Sequence, residues 1–206
     1  MLLNEVHLDE LTKNEIIWKH TSNGQYSATS AYKAQFLGMI LLPMDRMVWK
    51  VWAPPIYFFA WLALQDRIWT TDRLAKRGWP NCDVCPLYMR VQECGPHLFY
   101  KCHYTRRIWS LVIGKFPMLG LDTSAWPMFD RVEDWWASTC VEGKPDRQAK
   151  ASITMLLSWT VWNERNTRVF KHKSAPPPIL LSSISTEANL WVIAGAKKVW
   201  SFIVRE

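Results

Sequence analysis

Four side chains suited to a soft or borderline divalent cation stand within residues 82–102, in the spacing C-x2-C-x11-H-x4-C: Cys82, Cys85, His97 and Cys102. Two cysteines separated by two residues bring two thiolates to one side of an ion. A histidine and a cysteine separated by four residues suit a helical turn and its end. Together they meet the tetrahedral demand of zinc and leave no open position for water, which is the arrangement of a structural rather than a catalytic site. Pro86 and Pro96 keep the flanks from continuing as helices. A C-x2-C pair alone is shared with thiol redox proteins, and it is the added H-x4-C that turns the reading to Zn2+. Residues alone leave a second set open, the all-cysteine group Cys82, Cys85, Cys94 and Cys102, with His103 as a spare. His97 is preferred because Cys94 directly precedes Gly95-Pro96. Cys140 stands far away and reads as a small buried hydrophobe.

The chain around this cluster has 206 residues, 49% hydrophobic and 21% charged, which fits a globular domain and excludes a disordered chain. Fourteen tryptophans are best used as core, with some available to stack on bases. The net charge of +7 is uneven. Residues 45–115 hold eleven Lys and Arg against five Asp and Glu, whereas residues 1–44 hold three against four and residues 116–206 eleven against nine. The positive excess coincides with the cysteine cluster and favours a phosphate-bearing partner, with a merely solvated basic face as the alternative. The N-terminal residues carry acids where a secretory signal needs a basic start and an apolar run. The apolar stretch 51–64 is broken by Pro54-Pro55 and is too short to span a bilayer. The expectation is an intracellular protein, nuclear or cytoplasmic and not secreted, with no membrane partner. In that reducing compartment cysteines serve metal rather than disulfides.

Periodicity predicts many helices and one hairpin. Residues 16–29 alternate around the turn Ser22-Asn23-Gly24 and predict a β-hairpin. Ser30 is placed to cap a helix over 31–40 that aligns Tyr32, Phe36, Met39 and Ile40. Helices are further expected over 45–52, 56–67 (apolar almost all round, hence central), 104–113, 131–140, 146–171 and 179–203, the last weakened at Gly195. Over 70–78, Thr70 or Thr71 caps, Asp72 faces the positive end, Lys76 and Arg77 the negative end, and Gly78 terminates. Residues 114–130 read as a loop. In the long helix, Ile153, Leu156, Leu157, Thr160, Val161 and Glu164 trace one stripe, widened by Trp159 and Trp162. The fold class is mainly α with an N-terminal β-hairpin, a small zinc-stabilised knuckle between helices and long C-terminal helices. Its expected division is residues 1–115, with the knuckle at 82–102, and a helical extension over 116–206.

Several segments resemble, in order, the zinc-binding region that follows the reverse transcriptase in plant LINE-type (non-LTR) retrotransposon polyproteins. They are W-K-H-T-S-N-G-Q-Y-S-A-T-S-A-Y (18–32), W-K-V-W-A-P-P-I-Y-F-F-A-W-L-A (49–63), T-T-D-R-L-A-K-R-G (70–78), the Cys82–Cys85 pair with E-C-G-P-H-L-F-Y-K-C (93–102), and Y-T-R-R-I-W (104–109). The segment W-T-V-W-N-E-R-N-T-R-V-F (159–170) resembles the region that commonly follows. The resemblance supports His97 as a ligand, since Thr or Ser stands in that family where this chain has Cys94. It also implies a role in holding template RNA or target DNA beside the polymerase of a parent polyprotein.

No catalytic apparatus is legible. A polymerase or nuclease needs grouped carboxylates for divalent metals, whereas Asp66, Asp72, Asp83 and Glu93 are scattered and fit capping or solvated roles. No base is paired with Cys82 or Cys94. The expected function is therefore a non-catalytic, zinc-binding, nucleic-acid-binding accessory module without a small-molecule substrate. Arg73, Lys76, Arg77, Arg90, Lys101, Arg106 and Arg107 are the expected phosphate contacts. The alternatives are a structural or protein-interaction module in which zinc only stabilises the fold, and an oxidoreductase using Cys82 and Cys85.

Overall fold

A computed structural model describes residues 17–34, 48, 56–140 and 147–196, and the chain divides into two units, Met1–Leu41 and Leu42–Glu206. In the first unit the expected hairpin is not formed: no strand occurs among the described residues. The turn itself is present, with the Trp18 N–H donating to the Gly24 carbonyl at 2.8 Å and Gly24 at φ 69°. Local side-chain bonds then take the place of a ladder. Asn23 Oδ1 accepts from the Gln25 amide at 3.2 Å, and the Thr21 hydroxyl donates to the Gln25 carbonyl at 2.9 Å. Two residues later the chain turns helical. Ser27 and Ser30 each accept the other's amide through their hydroxyl oxygens, both at 3.1 Å, a reciprocal capping box that starts helix α1, Ala28–Ala34. Ser27 thus takes the cap position expected of Ser30. The expected residues Phe36, Met39 and Ile40, the side chain of Tyr32 and, apart from Val48, the expected helix over 45–52 lie outside the described residues.

The regular secondary structure described in the second unit is all helical. Its α-helices are α2 (Tyr57–Leu64), α3 (Thr71–Lys76), α4 (His103–Lys115), α5 (Val132–Thr139), α6 (Arg147–Lys171) and α7 (Pro177–Ile193). A π-helical turn, His97–Lys101, precedes α4, and short 3-10 turns at Pro117–Leu119 and Trp126–Met128 occupy the expected loop. The expected boundary at 115/116 falls inside this unit. Helix α6 is its axis, packed against α2, α5, α7 and the π-turn, while α4 packs on α7. Residues 151–158 of α6 are consequently buried on every side, and the Ser152 hydroxyl satisfies itself on the Gln148 carbonyl at 2.9 Å. Of the stripe read from the sequence, Ile153, Leu156, Leu157, Val161 and Glu164 are buried and Thr160 is half-buried, although full encirclement is a tertiary effect that periodicity does not carry. Helix α2 buries Phe59, Ala60, Ala63 and Leu64 but leaves Phe58 exposed, so it is central on one face only.

Aromatic rings fill the core. Trp135 is fully buried and stacks on Tyr100 at 4.8 Å between centroids, with Trp126 and Trp109 meeting it edge-on at 5.5 Å and 6.0 Å. Offset and edge-to-face contacts of this kind add to the area term, at about 0.5–1.5 kcal/mol per pair. Trp109 also donates to the Phe99 carbonyl at 2.9 Å, so its polar atom is satisfied inside the core.

Helix α3 ends as its sequence predicts. The Gly78 amide donates to the Ala75 carbonyl at 2.9 Å and the Trp79 amide to Leu74 at 3.0 Å, with Gly78 at φ 68°, the pattern of a Schellman motif. A Cβ at Gly78 would meet nothing within 4 Å, so only the left-handed backbone resists a side chain. Gly78→Ala is expected to cost about 1 kcal/mol, read as a shift in the urea midpoint at unchanged slope.

Candidate metal centre

The turn after Cys85 is built by its own backbone. The Cys85 amide donates to the Val91 carbonyl at 2.7 Å, and the Cys85 carbonyl accepts from Met89 at 2.7 Å and Tyr88 at 3.2 Å. On the other side, the Cys102 amide donates to the His97 carbonyl at 2.7 Å, closing the π-turn. The wider π-turn brings residues i and i+5 together, where an α-helix aligns i and i+4; this is how H-x4-C places its two ligands on one side. Cys102 then stands at the N-cap of α4.

These two pieces bring three ligands together. One ligand atom each from Cys85, His97 and Cys102 lies within 4.8 Å of the others, and all three residues are buried. The two thiols are 3.9 Å apart. With Zn–S bonds of about 2.3 Å, the edge of a tetrahedral site is about 3.8 Å, so this pair needs almost no movement to share an ion. His97 Nε2 is buried without a hydrogen-bond partner, a cost that a bound cation would remove. Hydrogen bonding to Cys85 pushes Cys102 towards the thiolate, helped by His97 and by the Thr105 amide at the start of α4 and opposed by burial. The same bond pushes Cys85 up, with burial adding to it. Of the two sulfurs, Cys102 is the one favoured as thiolate. The donor set and its spacing fit a soft or borderline divalent cation.

Cys82 is exposed and is not among the clustered ligands. Cys94 lies elsewhere too: it lines a cavity of about 530 Å³ with Trp61, Asp66, Asp72 and Pro96, and burial pushes its thiol up. His103 is exposed and stacks on Tyr88 at 5.2 Å between centroids. Cys140 is fully buried, and that burial pushes its thiol up to about 11, as the small-hydrophobe reading requires.

Helix α6 braces both ligand-bearing segments. Arg165 grips the Glu93 carboxylate through Nε at 2.9 Å and Nη2 at 2.8 Å, with both side chains almost wholly buried. Glu93 Oε2 also accepts the Thr71 amide at 3.0 Å, so it caps α3 from a distant part of the chain. Three residues on, Arg168 donates to the Leu87 carbonyl at 3.1 Å, two residues past Cys85, pairs with Glu164 at 2.7 Å and lies 4.4 Å over the Tyr104 ring. Glu164 accepts the Ala175 amide at 2.9 Å, and the Tyr104 hydroxyl donates to the Ala175 carbonyl. These bracing residues were not read as site residues. Their signal was the N-E-R-N-T-R run of residues 163–168, a set of charges too dense for the buried side of a helix unless paired.

The expected phosphate contacts divide. Arg73, Lys76 and Lys101 pair with Asp66 (3.2 Å), Asp72 (3.4 Å) and Asp130 (3.1 Å). Arg90 lies over the Tyr88 ring at 5.4 Å and Arg77 over Trp69 at 4.7 Å. Arg106 and Arg107 are exposed on α4, and their side chains bond to nothing among the described residues. None of the described helices is long and apolar enough to cross a membrane.

A model of the family described as zinc-binding in reverse transcriptase matches residues 26–109. No curated protein and no solved structure matches the chain. The matched segment contains all three clustered ligands and ends within α4, so over residues 26–109 this chain is similar to the zinc-binding domains in reverse transcriptase.

Proposed function

We propose that this chain is a non-catalytic nucleic-acid-binding accessory module, derived from a LINE-type retrotransposon polyprotein and organised around one zinc ion. Cys85, His97 and Cys102 would hold the ion, with Cys82, exposed three residues before Cys85, as the fourth ligand. When bound, zinc acts as a cross-link between the Cys85 turn and the start of α4. Every other contribution comes from the chain. Cys102 begins α4, and α4 carries Arg106 and Arg107 into solvent. That pair, exposed and uncompensated by any described acid, is the observation that supports a phosphate partner.

Phosphate neutralisation makes affinity fall with salt, with a slope of about 0.7 per contact on single strands and about 0.9 on duplex DNA. Titrating labelled RNA and DNA oligomers across salt concentration is expected to give a steep dependence. Replacing Arg106 and Arg107 by alanine is expected to reduce that slope by roughly one to two. Affinity indifferent to salt, or no binding at low salt, would overturn the proposal.

The second reading, a protein-interaction module, draws support from α7, where Ile179, Leu190 and Ile193 are exposed at helical spacing on one face. It predicts that Ile193→Asp, which puts a charge on that apolar face, removes a protein partner and leaves the salt titration unchanged.

A further inference from the structure

Trp69 and Trp79 are 38% and 48% exposed, whereas Trp109, Trp126, Trp135, Trp136 and Trp191 are buried. Their rings lie 5.1 Å apart at a tilt of 32°. The Arg77 guanidinium lies 4.7 Å from one ring centre and 5.8 Å from the other. Short-range geometry fixes all three. Trp79 is the residue whose amide closes the Schellman motif on Leu74 at 3.0 Å, and its carbonyl accepts from the Asn81 side chain at 2.9 Å. Trp69 stands two residues before α3, whose first amide is capped by Glu93 at 3.0 Å. Arg77, at the C-cap of α3, is held over the rings by cation–π attraction rather than by a carboxylate.

Two indoles partly exposed beside one another forgo the burial that those five obtain. The chemistry of the cluster selects its occupant. The aromatic faces that Arg77 does not cover take a flat π-system, and the guanidinium lying over the pair takes a negative charge. Asp72, the acid of α3, is engaged by the Thr70 hydroxyl at 2.6 Å and by Lys76 at 3.4 Å, and no described carboxylate pairs with Arg77. A quaternary or alkylated amine would meet Arg77 as a like charge. A nucleobase with its own phosphate satisfies both halves. In a duplex that base face is covered by its neighbours, so the site suits an unpaired nucleotide. We infer that Trp69, Trp79 and Arg77 form a stacking site for an unpaired base of single-stranded RNA or DNA. The inference rests on the nucleic-acid reading above and sharpens it, by naming the strand state recognised and the residues that recognise it.

The test compares three labelled probes of equal length: an oligothymidylate or oligouridylate strand, an abasic sugar–phosphate strand, and a duplex. The proteins are the full-length, zinc-loaded wild type, Trp69→Ala/Trp79→Ala and Trp79→Phe. Stacking is worth roughly five- to a hundredfold per base. The double variant is therefore expected to lose about ten- to a hundredfold affinity for the base-bearing strand, with its salt slope unchanged. Its affinity for the abasic strand and the duplex is expected to stay at the wild-type level, and Trp79→Phe to retain most of the base-dependent gain. Equal losses on the abasic strand, or no loss on the base-bearing strand, would overturn the stacking site while leaving the phosphate reading intact. A wild type that binds none of the probes would overturn both. Photocrosslinking of an iodouridine strand to the wild-type chain needs no variant. Attachment at Trp69 or Trp79 supports the site, and attachment confined to other residues contradicts it.

Discussion

Cys102→Ser is expected to strip the chain of bound metal and to lower its thermal midpoint by roughly 10 °C or more, since a structural zinc carries several kcal/mol of folding free energy. Three roles meet at this residue. It is a clustered ligand, it is the sulfur pushed towards the thiolate, and it is the N-cap of α4. Cys85→Ser is expected to match the metal loss with a smaller thermal effect, because Cys85 begins no helix. Cys82→Ser is expected to weaken the metal without abolishing it, because its site in the structure is exposed. Chelation of the wild type lowers its midpoint towards that of the variants. Metal affinity is expected to fall as pH drops, because the thiols of Cys85 and Cys102 must be deprotonated before both sulfurs can bind. Metal analysis with differential scanning calorimetry checks the first set, and a competitive chelator titration at several pH values checks the last.

Breaking the Glu93–Arg165 pair is expected to cost about 3–5 kcal/mol, the range for leaving one member of a buried ion pair without its partner. Arg165→Met strands a carboxylate that is fully buried. It leaves that carboxylate with the single Thr71 amide recorded at 3.0 Å. Glu93→Gln strands the guanidinium and weakens the cap of α3. The double variant Glu93→Gln/Arg165→Met is expected to recover a large part of the loss, since no charge is then buried alone. Denaturant unfolding of the four proteins gives this cycle directly. Additive losses in the double variant would show that the two residues do not act as a pair.

The ligand segment was legible because metal chemistry constrains spacing. C-x2-C and H-x4-C each report a local turn, and local turns are what sequence carries best. The helix stop at Gly78 was legible for the same reason, whereas Pro177 and Pro178, read as part of a break, open α7 at its first two positions. The N-terminal hairpin was misread because alternation over 16–29 competes with a Ser27–Ser30 capping box, and the hydroxyl bonds prevailed. Long-range pairings left little trace. Glu93 lies 72 residues from Arg165, and Arg168 lies 81 from Leu87; only packing of α6 against the ligand segment brings them together. The same packing makes the C-terminal helices part of the metal site's support, beyond the residues that the family model matches. The basic segment could be read from the sequence, but which of its residues are neutralised depends on acids such as Asp130, whose position sequence alone does not give.

The central claim, one zinc ion held by three sulfurs and one imidazole, is tested most directly by X-ray absorption at the zinc edge on the purified, metal-loaded chain with its zinc content measured in parallel. The proposal predicts one zinc per chain with three sulfur neighbours and one nitrogen, and loss of one sulfur in Cys82→Ser. A chain that binds no zinc, a shell of four sulfurs that implicates Cys94, or a spectrum unchanged by Cys82→Ser would contradict it.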